Sequence, residues 1–90
     1  MSKFIIERNI PQIGTLSASE MQAGAQRSNE TIRELGGSVQ WVQSYVTNDK
    51  LYCVYLGTSK DAVLEHAEKS GFPASRVEEV KTIIDPTTGE

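Results

Sequence analysis

The sequence contains one cysteine, one histidine and one tryptophan in 90 residues. A single cysteine cannot close an intramolecular disulfide, so nothing here calls for an oxidising compartment. There is no CxxC, no HExxH and no local set of four ligands, so no motif supports a metal site within one chain. Glycine-rich phosphate loops are missing as well; Gly36-Gly37 alone has no such meaning. No apolar run approaches the roughly 20 residues that a membrane helix needs. The N-terminal MSKFIIERNIPQ is cut by Glu7 and Arg8 and does not read as a signal peptide. The expected location is therefore the cytoplasm, with no membrane partner. Positive charge is not in excess either. Nine Lys and Arg stand against twelve Asp and Glu, for a net charge of -3 and a pI near 5.1. The basic residues are scattered from Lys3 to Lys81, so a nucleic-acid partner is not expected.

What is present reads as one small globular domain. Hydrophobic residues make up 38% and charged residues 23%, which places the chain outside the disordered class. A domain of this size buries only a modest share of its unfolded surface, so a dimer would add useful burial.

Residues 2–9, SKFIIERN, alternate as a strand, with Phe4 and Ile6 on one face and Ile5 and Glu7 on the other. Ser17 to Glu20 matches a capping box and opens a helix that Gly36 and Gly37 end. Met21, Ala25, Ser28, Ile32 and Leu35 line one stripe of it. Only three of these are large, which predicts close packing at the middle of the helix. Residues 38–47 form a second strand, Asn48-Asp49 a turn, and LYCVYLG (51–57) a third strand. A capping-box-like start at Thr58 to Asp61 opens a short helix over 60–70, stopped by Gly71. A turn near 74–78 and a last strand ending at Asp85-Pro86 complete the order. Strand, helix, strand, strand, helix, strand in one small domain predicts an α+β, ferredoxin-like βαββαβ sandwich. Its four-stranded antiparallel sheet carries both helices on one face.

A two-residue turn at Asn48-Asp49 sets Tyr45 opposite Tyr52, Gln43 opposite Val54 and Trp41 opposite Leu56. Side chains alternate across a strand. Trp41, Gln43, Tyr45, Tyr52, Val54 and Leu56 then share one face, and Val42, Ser44, Val46, Leu51, Cys53 and Tyr55 the other. The smaller second set suits the face under the helices. The aromatic first set suits a covered face, most simply against a second copy of the chain.

Four kinds of residue are candidates for chemistry. Cys53 reads first as a buried small hydrophobe, and as a metal ligand only with partners. His66 lies at the edge of the stripe formed by Val63, Ala67 and Ser70, with Glu65 on the opposite side. Tyr45 and Tyr52, with Trp41 and Gln43 nearby, fit the walls of a ligand pocket and fit a dimer interface equally well. Ser44 reads as a buried hydroxyl, because no His-acid relay stands beside it. The sheet aromatics lack the Lys/Arg-Gly-aromatic pattern of RNA-recognition domains.

The run WVQSYVTNDKLYCVYLG, followed by LEHAEKSGFPASRVEEV and IDP, resembles a family of small proteins of about this length, catalogued as a domain of unknown function. Some of its members are labelled nickel-responsive or nickel-binding. The resemblance extends from FIIER to IDPTT. It implies a ferredoxin-like fold and a tendency to dimerise. The matching positions that would serve a metal are His66, Cys53, Tyr45, Tyr52 and Glu65. Gln43 departs from relatives that carry a histidine there, and imidazole suits nickel better than a carboxamide oxygen.

Together these readings predict a homodimeric, non-enzymatic protein that binds a metal ion, nickel or another divalent transition metal, or a small ligand. His66 and Cys53 would be the metal candidates. Tyr45, Tyr52, His66, Trp41 and Gln43 would be the ligand candidates. Two alternatives remain open: a dimeric αβ-barrel enzyme of monooxygenase or isomerase type with His66 as acid or base, and a protein-interaction module.

Overall fold

The computed structural model describes residues 1–90. β1 (Ser2–Asn9), α1 (Ala18–Glu34), β2 (Val39–Val46), β3 (Lys50–Gly57), α2 (Lys60–Ser70) and β4 (Arg76–Glu79) follow one another, with 3-10 turns at Ile13–Thr15 and Pro86–Gly89. The strands form one antiparallel sheet in the order β2-β3-β1-β4. Both helices lie on one face of it, giving the ferredoxin-like α+β sandwich that the order of elements predicts. Phe4, Ile6, Val39, Cys53, Tyr55, Val63, Ala67 and Val77 make the core between the layers. No helix is long and apolar enough to cross a membrane.

Local chemistry explains the element ends. The Ser17 hydroxyl accepts from the Glu20 amide at 3.2 Å, and Glu20 Oε1 accepts from the Ser17 amide at 2.9 Å. That reciprocal pair satisfies two orphan donors at the start of α1. α2 is capped by Ser59, one residue later than Thr58, through the Ala62 amide at 3.1 Å. Gly71 closes it with a left-handed φ of 75°.

The hairpin turn is two residues long, and the Thr47 amide donates to the Lys50 carbonyl at 2.9 Å. The turn also anchors the segment between β1 and α1. Ile10 and Gly14 amides donate to the Asp49 and Asn48 carbonyls at 3.0 Å, and the Gln12 amide to Asp49 Oδ1 at 2.9 Å. A Cβ on Gly14 would lie 2.8 Å from the Thr47 carbonyl oxygen, so only glycine fits this contact.

Two expectations are corrected. Tyr45 does face Tyr52 and Gln43 does face Val54, but Trp41 pairs with Tyr55 instead of Leu56. Val42 is an extra residue at a β-bulge, which breaks the alternation and turns Trp41 onto the helix face. The indole N–H then reaches Ser44 Oγ at 2.9 Å, a side-chain partner, while Val42 is left exposed. The last strand is Arg76–Glu79, earlier and shorter than predicted. It pairs with Phe4 to Glu7, and the Val80 amide adds one bond to the Lys3 carbonyl at 2.8 Å. β1 begins at Ser2, so Ile83 and Ile84 have no strand to pair with and stay exposed.

Candidate functional site

Close packing at the middle of α1 is not what the structure shows. Met21, Gly24, Ala25 and Ser28 face the sheet there, and the small volume of the last three leaves a cavity of about 240 Å³ between helix and sheet. Ile13, Leu16, Met21, Trp41, Val46 and Leu51 give it apolar walls. Arg8, Cys53 and Tyr55 from the sheet, with Ser28 from α1, supply its polar floor. At the mouth stand Glu20 and Phe72. A shallower outer hollow shares Leu16, Glu20, Gly24 and Phe72 and adds Ala23 and Arg27.

Arg8 is the residue that sequence reasoning missed. It is 1% exposed. The signal was present: the alternation that turns Phe4 and Ile6 inward turns Arg8 inward as well. Its Nη1 donates to the carbonyls of Phe72 and Pro73 at 3.2 and 3.3 Å, and its Nε is buried without a partner. Two guanidinium groups approach the Phe72 ring, that of Arg8 at 5.9 Å from its centroid and that of Arg27 at 5.6 Å.

His66 is fully buried behind this floor and does not line the cavity. Its Nε2 lies 3.0 Å from Tyr55 Oη and 3.4 Å from Ser28 Oγ, and those two hydroxyls are 3.4 Å apart. The His66 and Tyr55 rings are tilted against each other with centroids 4.8 Å apart. Burial, and then the nearby Arg8 charge, push the imidazole pKa down to about 4. Burial also raises the Tyr55 phenol above its usual range. Histidine and tyrosine are therefore both neutral near pH 7, and Arg8 is the one cation at the floor.

The structure divides the sequence candidates between two faces. Trp41 and Cys53 line the cavity, and His66 supports it from behind. Gln43, Tyr45 and Tyr52 lie across the sheet on the open face, where Gln43 Nε2 donates to Tyr45 Oη. Glu65 is exposed on α2 and pairs with Lys69 at 3.3 Å. His66 is thus not brought together with the two tyrosines.

Fold and cavity define a small ferredoxin-like α+β protein with a half-open pocket under its first helix. The same fold is found in the crystal structure of SCO4226 from Streptomyces coelicolor A3(2), which matches with a TM-score of 0.77 over 92% of this chain and 100% of that one, at 17% identity. Residues 4–80 match the SCO4226-like family, described as nickel responsive protein SCO4226-like, and the chain belongs to that family. No curated protein matches the chain.

The donor set within one chain does not fit a nickel ion. No three His, Cys, Asp or Glu side chains come together. His66 Nε2 is already engaged by two hydroxyls, and Nδ1, though unpaired, is sealed in the core. The Arg8 charge that opposes protonation of His66 would oppose a divalent cation for the same reason.

Proposed function

We propose that this protein is a non-enzymatic, homodimeric binding protein for a small, largely apolar molecule held between α1 and the sheet. The observation that carries this reading is the cavity of about 240 Å³, with apolar walls and a few convergent polar groups at one end. A dry apolar cavity of about 150 Å³ already suffices to hold benzene, so a substituted ring has room here. The metal reading finds less support, because the family's description is not matched by a ligand set in one chain. The enzyme reading would need His66 to act through Tyr55, since the imidazole lies behind the cavity surface.

The dimer reading rests on the open face. Ile5, Tyr45, Tyr52, Val54 and Leu56 form its apolar centre, and Ile5 and Tyr45 are exposed. Charges of both signs ring it: Lys3, Glu7, Arg76 and Glu78. A patch that is apolar at its centre and carries both signs at its edge can pair with itself across a two-fold axis.

The single tryptophan lines the cavity, so its emission reports on the site. Titration with monocyclic aromatic probes (benzyl alcohol, benzamide and benzoate) is expected to change Trp41 fluorescence saturably. An Ala25→Leu variant, which fills the cavity, is expected to lose the response while keeping its far-ultraviolet circular dichroism. Absence of any saturable response, or equal binding by the filled variant, would refute the proposal.

A further inference from the structure

We infer that the ligand taken by this cavity is a small apolar carboxylate, a monoanion whose charge meets Arg8 and whose ring or branched chain fills the apolar end. This rests on the reading of the cavity as a ligand site and names its class.

The charge balance of the buried layer carries the inference. Arg8 is 1% exposed and takes part in none of the four ion pairs of the chain. A guanidinium keeps its proton under all ordinary conditions. A buried charge left without a counter-charge is costly, and fold after fold pairs it or coordinates it. Here Nη1 donates to two backbone carbonyls, Nε is buried without a partner, the Tyr55 hydroxyl lies alongside, and all these neighbours are neutral. Tyr55, Ser28 and His66 form a closed hydroxyl–imidazole triangle among themselves. The acid nearest to the site is Glu20 at the mouth, and its carboxylate is committed to the Ser17 amide in the capping box.

A planar guanidinium matches a carboxylate with two parallel hydrogen bonds, a fit that neither a hydroxyl nor a carboxamide reproduces. One cation calls for one negative charge. Apart from Ser44, which already accepts from the Trp41 indole, and Glu20 at the mouth, the remaining walls are apolar and favour a compact apolar body. Arg27 in the outer hollow adds positive charge along the approach.

The test compares isosteres in the wild-type chain, so it does not depend on a variant that folds. Benzoate is expected to bind at least about tenfold more tightly than benzamide or benzyl alcohol, the margin expected of a charge-assisted bidentate pair. Acetate, which lacks the ring, is expected to bind far more weakly than benzoate. Ring-proton NMR of His66 gives a second readout: bound benzoate offsets the Arg8 charge and raises the His66 pKa, whereas bound benzamide leaves it unchanged. In Arg8→Met the preference for benzoate is expected to vanish. Benzamide and benzyl alcohol binding as well as benzoate would overturn the carboxylate assignment and leave the cavity reading standing. Acetate binding as tightly as benzoate would overturn the apolar body. No binding by any of the four would remove both readings together.

Discussion

His66 is held without a proton by its surroundings, and this has a measurable cost. Its pKa is about 4 in the folded chain, against an ordinary value of 6.5. A group with a depressed folded-state pKa binds fewer protons folded than unfolded inside that window. Its contribution to stability is full above pH 6.5 and is lost as the pH falls towards 4. The loss is about 1.4 kcal/mol for each pH unit. Urea unfolding is therefore expected to show a lower midpoint at pH 5 than at pH 7. His66→Gln is expected to flatten that dependence, even though the substitution itself lowers stability. Glu20, Glu79 and Asp85 also have lowered pKa values, from hydrogen bonds to Ser17, Lys81 and Thr87 respectively. All three are retained in His66→Gln, so the difference in slope between the two chains belongs to the histidine. An unchanged slope in the variant would mean that His66 is not the titrating group.

At the scale of elements, α1 makes the site by what it leaves out. Gly24 contributes no side chain, and a Cβ there would meet Phe72 Cζ at 3.5 Å, an ordinary contact. Glycine in a helix interior costs about 0.8–1 kcal/mol relative to alanine. Gly24→Ala is expected to raise stability by roughly 0.5–1 kcal/mol in urea unfolding. A destabilised variant would show that the helix is pressed more tightly against the Phe72 ring than these distances allow. The same helix shows how far sequence can be read. Its start, its end and its inward stripe were all legible from caps and spacing. Whether small inward residues close on the sheet or leave a gap was not, because that depends on where Trp41, Leu51 and Phe72 hold the layers apart. Trp41 itself was placed on the wrong face, since strict alternation has no means of announcing an extra residue at Val42. The last strand was misplaced for a related reason. Thr82, Ile83 and Ile84 have strand-like side chains, but pairing stops where β1 runs out of backbone. Arg8 was legible and was passed over; following the alternation of β1 by two more residues finds it.

For the whole molecule, the open sheet face is the feature to account for. A face bearing Ile5, Tyr45, Tyr52, Val54 and Leu56 in a 90-residue chain has much to gain from being covered. Sedimentation at micromolar concentration is expected to give a dimer, and Tyr52→Lys is expected to shift it to monomer without loss of the cavity probe response. A wild-type chain that sediments only as monomer would remove the dimer from the proposal. Such a result would leave the site under α1 untouched, since the two faces share no candidate residue.

The tie between Gly14 and the hairpin turn affects timing more than fit. Ile13 and Leu16 belong to a segment fastened to Asn48 and Asp49 by hydrogen bonds through Ile10, Gln12 and Gly14, so one side of the cavity is a fixed rim. Traffic is left to the outer hollow, bordered by Leu16 of that rim on one side and by Phe72 with its two arginines on the other. A guest would enter and leave by the same door. How long it stays would then depend on the Phe72 ring, and how well it fits on the Arg8 guanidinium that the same ring covers.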